Sequence, residues 1–278
     1  MLDRGKVHCV VCGSSFRNAE ILKACRLAIR NVDNDQDRAG RYVKLAMAYS
    51  IAGRPNKSLR TLTKAKRYAV PGSNIAHFIQ LETASNLLAT GSAAEAERCL
   101  RSVMDVILEM TDPITLSSAV LYAACCTLLC TADIRFQRLA SATVWLQRAM
   151  VVQGEIGLDS QLAESLQMEA DILRREGKLY ESKGSLQKAE RIMMRSETDE
   201  CQKCKLQVDI AITEAELGEL HLARARLCGV LPKLRKRKRD HCAELLPIAA
   251  EALSHIAKPA RRLRRKTWPE RVECRVGS

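Results

Sequence analysis

Residues 46–65 read AMAYSIAGRPNKSLRTLTKA. Around Gly53, the small residue Ala46 and the large Tyr49 stand seven and four positions earlier, and Ser58, Leu62 and Ala65 stand five, nine and twelve later. Small and apolar residues at steps of three and four fall on one face of a helix. A glycine between two such runs marks a tight turn that needs an unusual backbone conformation. The stretch therefore predicts two antiparallel helices that approach where side chains are small and lock where they are large.

The same offsets recur along the chain. Gly91 is preceded by Ala84 and Leu87 and followed by Ala96, Leu100 and Val103. Gly177 is framed by Ala170, Leu173, Ser182, Leu186 and Ala189, and Gly218 by Ala211, Glu214, Ala223, Leu227 and Val230. The intervals between these glycines are 38, 86 and 41 residues. The long one holds a further pair, Ile114–Ala132 and Phe136–Val152, opened by Asp112-Pro113, in which Ala142, Leu146 and Ala149 keep the pattern but the turn glycine is missing. Five helix pairs at about 40-residue spacing predict a solenoid.

No stretch alternates strictly enough to predict a strand, so the chain reads as all-α. Hydrophobic residues make up 47% and charged residues 28%, which allows a buried core and excludes a disordered polymer. Aromatics are only 4%, with 13 Gly and 7 Pro, too little turn chemistry for a β-sandwich or barrel. The longest apolar run, around Ala119–Cys130, is short and interrupted by Thr127, so no membrane span is expected. The start, MLDRGKVHCVVCG, carries an acid and no apolar core, so no secretory signal is read there; the expected location is the cytoplasm, or the nucleus of a eukaryotic cell. In that setting Cys25, Cys99, Cys125, Cys126, Cys130, Cys228 and Cys242, all within apolar helical patterns, read as reduced thiols acting as small core residues.

The pattern resembles the tetratricopeptide repeat (TPR). Ala46, Tyr49, Ser58, Leu62 and Ala65, followed by Pro71, fit that repeat's packing signature, and residues 164–193 and 205–231 follow it closely; the resemblance covers about residues 40–232. The usual Trp near the unit start is absent and the spacing exceeds the family's period of about 34, so the chain is similar to longer-helix variants. The resemblance implies a right-handed α-α superhelix whose first helices line a concave groove. Positions ten, six and three before each turn would then face a ligand: Val43, Met47 and Ser50; Leu81, Ser85 and Leu88; Gln167, Asp171 and Arg174; Val208, Ile212 and Ala215. The implied function is a scaffold or adaptor in a regulatory complex, binding a peptide or amphipathic helix, with Asp171 or Arg174 making a polar contact. Burial of part of this stripe by the neighbouring helix is the competing reading.

The expected organisation is a Cys-x-x-Cys segment plus helix at 1–36, the repeats at 37–232, a basic run and capping helix at 233–257, and a basic flexible tail at 258–278. Pro247, near the start of the capping helix, either kinks it or resets it. The net charge of +13 is concentrated at this end: residues 231–278 hold 14 Lys/Arg against five acids. The two basic blocks, Lys233, Arg235, Lys236, Arg237, Lys238 and Arg239, and Arg261, Arg262, Arg264, Arg265 and Lys266, suit phosphates or another polyanion. An import signal or a solvated tail are the other readings of the same residues. The polyanion reading makes the protein a nucleic-acid-associated regulator, whose repeats could also pair two copies of the chain.

Cys9-Val-Val-Cys12-Gly has the shape of a zinc knuckle, and Cys25 follows at the spacing of a third ligand; His8 is an awkward fourth, because Ile29, Arg30 and Asn31 cannot ligate. Cys201 and Cys204 form a second pair at a helix start, where redox or metal chemistry is conceivable. No cofactor is otherwise expected. The five histidines share no motif with a nucleophile and an acid, and no phosphate-binding or hydrolase signature is present, so no enzyme is expected.

Overall fold

The computed structural model describes residues 6–8, 15–30, 32, 34–109, 115–195, 200–236 and 245–264. It divides into two compact units, Met1–Asp199 and Glu200–Ser278.

The first unit opens with a two-stranded antiparallel ribbon, β1 (Lys6–His8) and β2 (Ser15–Arg17), in which Lys6, Val7 and His8 face Arg17, Phe16 and Ser15. Three-residue strands are too short to show alternation in a sequence, so the ribbon departs from the expected absence of strands. Nine helices follow: α1 (Asn18–Arg30), α2 (Asp35–Ile51), α3 (Pro55–Lys66), α4 (Asn74–Ala89), α5 (Ala93–Glu109), α6 (Leu116–Arg135), α7 (Leu139–Glu155), α8 (Asp159–Arg175) and α9 (Leu179–Arg195). Each packs on the next, and α2 also packs on α4 and α4 on α6. No comparable contact joins α3 to α5 or α5 to α7. Helices α2, α4 and α6, the first members of their pairs, thus make a layer, and α3 and α5 lie over it.

The repeated residues form the core. Seven positions before the turns sit Ala46, Ala84, Cys130 and Ala170; five after sit Ser58, Ala96, Ala142 and Ser182; nine after sit Leu62, Leu100, Leu146 and Leu186; none is more than 2% exposed. Each buried leucine contributes about 1.5–3 kcal/mol. At the closest crossing of α8 and α9, Ser182 Oγ donates to the Ala170 carbonyl at 2.8 Å. At the α2–α3 turn Gly53 adopts φ +68. The Gly53 N–H reaches Ser50 O at 2.9 Å and the Arg54 N–H reaches Tyr49 O at 2.9 Å, the two bonds of a Schellman stop. In the α6–α7 turn Gln137 fills the glycine's place with φ 60.

Helix α6 begins at the N-cap Thr115, whose hydroxyl accepts from the Ser118 N–H; the expected start at Asp112-Pro113 lies outside the described residues. An 18-residue window of α6 has mean hydropathy 1.5, long and apolar enough to cross a membrane, and 56% of that window is buried inside the protein. Its buried residues pack with α4, α5 and α7, which accounts for the apolar composition.

The second unit comprises α10 (Glu200–Glu216), α11 (Leu220–Lys236) and α12 (Leu245–Arg264). Helix α12 packs on both others, over a core that includes Cys204, Val208, Leu227, Leu234, Ala249 and Ile256. The fifth pair, expected within one array at 37–232, therefore shares its core with the last helix. Pro232 lies inside α11. Leu231 and Leu234 on either side are buried, and their packing offsets the roughly 3 kcal/mol cost of an internal proline. The backbone of α12 continues to Arg264, past the expected start of the tail at 258.

Candidate docking face

Within the first unit, the open side of the first-helix layer is the surface a partner can reach. Val43, Leu81 and Gln167, ten residues before their turns, are buried, and so is Leu88. For Val43, Leu81 and Leu88 the cause is the layer itself: α2 against α4 and α4 against α6 cover one edge of the expected stripe. Met47 is exposed, and Ser50 and Ser85 are half-buried. The accessible residues stand nine, six and two before the turns: Lys44, Met47 and Ile51 on α2, Glu82, Ser85 and Ala89 on α4, and Leu128, Thr131 and Arg135 on α6. Phe78, one turn further along α4, is 38% exposed. The face is thus rotated by a fraction of a turn from the sequence expectation. In the second unit Val208 is buried and Ile212 half-buried on α10.

Two side chains expected to meet the ligand meet each other instead. Arg174 donates to Asp171 at 2.8 Å and Arg175 donates to the other carboxylate oxygen at 2.9 Å. Burial pushes the Asp171 carboxyl up, but the two arginine hydrogen bonds outweigh it and hold it below the usual carboxylate range. Glu82 has the opposite character. Burial raises its carboxyl above the usual range, and among the described residues no cation pairs with it. A half-buried carboxylate on a helix face that also presents Phe78 is suited to a ligand's ammonium or guanidinium.

The opposite side of the unit holds a cavity of about 620 Å³ between α7 and α9, floored by α8 and lined in part by Ala140, Thr143, Gln147, Glu169, Glu176 and Gly184. Two of its acids are occupied: Ser185 Oγ donates to Glu169 at 2.7 Å and Lys178 pairs with Glu176 at 2.8 Å. Small residues at Ala140 and Gly184 open this space, and nothing in the periodic pattern distinguishes them from ordinary packing positions.

Cys9 and Cys12 lie outside the described residues, and Cys25 is half-buried on α1. No group of three or more His, Cys, Asp or Glu side chains converges among the described residues. Cys125 and Cys130 are pushed up to about 12 and Cys126 to about 11, chiefly by burial, so these thiols behave as core hydrophobes. Cys228 is exposed on α11, although it falls within an apolar pattern. Cys201 is disulfide-bonded and not a reduced thiol, and Cys204 is buried beside it in the same core. Of the basic blocks, Lys233, Arg235 and Lys236 are exposed at the end of α11, with Lys233 pairing with Glu200 at 3.0 Å. Arg261, Arg262 and Arg264 belong to the last turns of α12; Arg237, Lys238, Arg239, Arg265 and Lys266 lie outside the described residues.

Solved structures share this architecture. Cut9 in the APC/C hetero-tetramer Cut9–Hcn1 aligns with TM-score 0.64 and 12% identity over 90% of this chain and 41% of that one. A signal-transduction ATPase with a tetratricopeptide repeat sensor from Pyrococcus horikoshii aligns with TM-score 0.64 and 13% identity over 87% of this chain and 37% of that one. The fold is that of the tetratricopeptide repeat. A Rap protein complexed with competence and sporulation factor is also similar, with TM-score 0.59 and 14% identity over 88% and 72% of the two chains. No family model matches the sequence, and no curated protein matches it. The TPR fold thus rests on the packing positions, where small and large residues recur, and leaves the exposed stripe free to differ.

Proposed function

We propose that the protein is a TPR-type interaction scaffold. In this reading the first-helix face of its first unit binds a helical or extended segment of another protein, apolar on one side and carrying a lysine or arginine. One observation carries the proposal. The accessible residues of α2, α4 and α6 include the apolar Met47, Ile51, Phe78 and Leu128, and among them on α4 stands Glu82, a half-buried carboxylate with no ion pair among the described residues. Apolar anchors would supply affinity, and a carboxylate that is costly to leave unpaired would supply selectivity for a cation. Two of the similar structures are complexes, Cut9 with Hcn1 and Rap with its factor, which supports a binding role for the fold. Binding at such a face needs no covalent step.

A site-specific photo-crosslinker tests this. Full-length protein carrying p-benzoylphenylalanine at Phe78 should capture a discrete protein partner, and Met47→Asp together with Glu82→Lys should abolish capture. The same probe at Val144, exposed on α7, should capture nothing in common. Identical capture at both positions, or indifference to the double substitution, would remove this face from the function. Leu81 is unsuited to such a test, because a charge there would be buried in the core.

A further inference from the structure

The second helices of the first unit differ sharply in charge. Helix α5 carries Glu95, Glu97, Asp105 and Glu109, α7 ends in Glu155, and α9 carries Glu181 and Glu190. Helix α3 carries no acid. From Arg38 to Leu81 the sequence has nine Lys/Arg and no Asp or Glu. Every exposed residue between Arg54 and Arg67 except Gly53's neighbour Arg54 itself lies on or at the end of α3, and all are polar: Asn56, Lys57, Arg60, Thr63, Lys64, Lys66 and Arg67. Lys57, Arg60, Lys64 and Arg67, at steps of three, four and three, share one face of the helix.

None of Arg54, Lys57, Arg60, Lys64, Lys66 and Arg67 forms an ion pair among the described residues. The acids that precede the helix, Asp35 and Asp37, are already engaged, by Arg38 at 3.4 Å and by Asn34 Nδ2 at 2.6 Å, and Glu82, the first acid after it, forms no ion pair with these cations among the described residues. Such a concentration of unneutralised charge costs the folded state some self-repulsion and attracts a dense anion. The face carries no exposed large apolar side chain, so it offers neither an anchor for a peptide pocket nor a wedge for a bilayer. Its affinity would come from counterion release. From Lys57 to Arg67 the stripe spans about 15 Å, a length over which duplex nucleic acid carries about nine phosphate charges. Asn56 and Thr63 add short polar groups of the kind that contact phosphate oxygens.

We propose that the solvent face of α3 is a docking surface for the phosphate backbone of a duplex nucleic acid, bound without regard to sequence. Its residues are none of those that make the first-helix face.

The test uses the full chain and a fluorescent 20-bp DNA duplex, with affinity followed by anisotropy between 50 and 200 mM salt. The triple variant Lys57→Gln, Arg60→Gln, Lys64→Gln should lower the slope of log affinity against log salt by about 2.7, three phosphate contacts at about 0.9 each, with a thermal melt no lower than that of the wild type. The charge-retaining pair Lys57→Arg and Lys64→Arg should keep the wild-type slope, which separates lost charge from lost folding. Two duplexes of unrelated sequence should bind alike. An unchanged slope in the triple variant overturns the proposal. So does loss of binding only on Arg261→Gln, Arg262→Gln and Arg264→Gln. Poly-glutamate displacing the duplex as well as unlabelled DNA does, charge for charge, would assign the face to an acidic protein, and binding to phosphatidylserine vesicles without binding to DNA would assign it to a membrane; either result overturns it.

Discussion

Hairpins α8–α9 and α6–α7 follow one plan in the first unit, yet only the former keeps the repeat's residues at every position. Helices α8 and α9 turn at Gly177, with φ +78, and place Leu173 four residues before it. Helices α6 and α7 turn at Gln137, with φ 60. A side chain in that left-handed conformation costs about 1–2 kcal/mol. Four residues earlier stands Asp133, which is buried where the other hairpins of the unit use Tyr49, Leu87 or Leu173. The two departures belong together. The chain bends so that Arg138, the first residue beyond the turn, pairs back onto Asp133 and also reaches Glu97 on α5 at 2.8 Å. Ser141 Oγ donates to the second Asp133 oxygen, and Arg101 holds Glu97 at 2.7 Å. Hydrogen bonds from Arg138 and then Arg101 keep the Glu97 carboxyl below its usual range. A turn without glycine is thus fastened by charge, and a buried acid that would otherwise be costly is neutralised by the residue the turn delivers.

The largest expected effect breaks that fastening. Arg138→Met leaves Asp133 buried with Ser141 as its remaining partner, and should cost about 3 kcal/mol, the low end for stripping a partner from a buried charge, since Arg138 is itself part-exposed. Arg174→Met in the neighbouring hairpin removes a pair in which both side chains are about one-third exposed; it should cost under about 1 kcal/mol. Hydrogen exchange of the α6 and α8 amides reads the two effects separately. Equal losses in both would mean that the Asp133 network is no more than a surface pairing.

The same contrast shows which parts of the fold could be seen in the sequence. The crossing positions were legible, because Ala46, Ala84 and Ala170, and Leu62, Leu100 and Leu186, are constrained by packing alone and so recur in type. The α6–α7 turn was legible only as a gap. Its solution joins residues from α5, α6 and α7, and an ionic network has no period. The docking face was partly legible: Met47, Ser50 and Ser85 were placed on it, but Val43, Leu81 and Leu88 were not separable from it, since contact between α2, α4 and α6 decides which edge of each helix is covered. The bare cationic face of α3 was hidden beneath the larger charge of the C-terminus, because net charge by segment says nothing of which acids share a helix face. The α10–α11 hairpin repeats the acid at the locking position, where Glu214 receives two hydrogen bonds from Arg226 at 3.0 and 3.2 Å. The sequence showed that acid as an interruption of an apolar stripe without showing its partner.

Exchanging the turn residues sharpens the comparison at a smaller scale. Gln137→Gly should stabilise the first unit by about 1 kcal/mol, because glycine adopts positive φ without a Cβ clash. Gly177→Gln should destabilise it by a similar amount, since no Cβ contact within 4 Å obstructs the site and only the backbone conformation (φ +78) opposes the side chain. Thermal melting of the two variants should therefore shift in opposite directions. A neutral Gln137→Gly would show that the Arg138 network, and not the conformational preference of the residue, sets the stability of that turn.

The smallest effect compares two serines at one repeat position, five residues after their turns. Ser182 Oγ donates to the Ala170 carbonyl at 2.8 Å, whereas Ser58 Oγ is buried with no partner. Alanine occupies the same position in α5 and α7, as Ala96 and Ala142, both fully buried, so the methyl group fits this crossing. Ser182→Ala then loses a net hydrogen bond and should cost about 1 kcal/mol, while Ser58→Ala removes an unsatisfied hydroxyl and should gain about 1 kcal/mol. Both substitutions delete the same atom from the same place in a hairpin, so shape and helix propensity cancel between them, and the difference in melting isolates the hydrogen bond. If both destabilise equally, the crossing needs the volume of the oxygen and not its bond, and small size alone would no longer explain why serine and alanine alternate at this position.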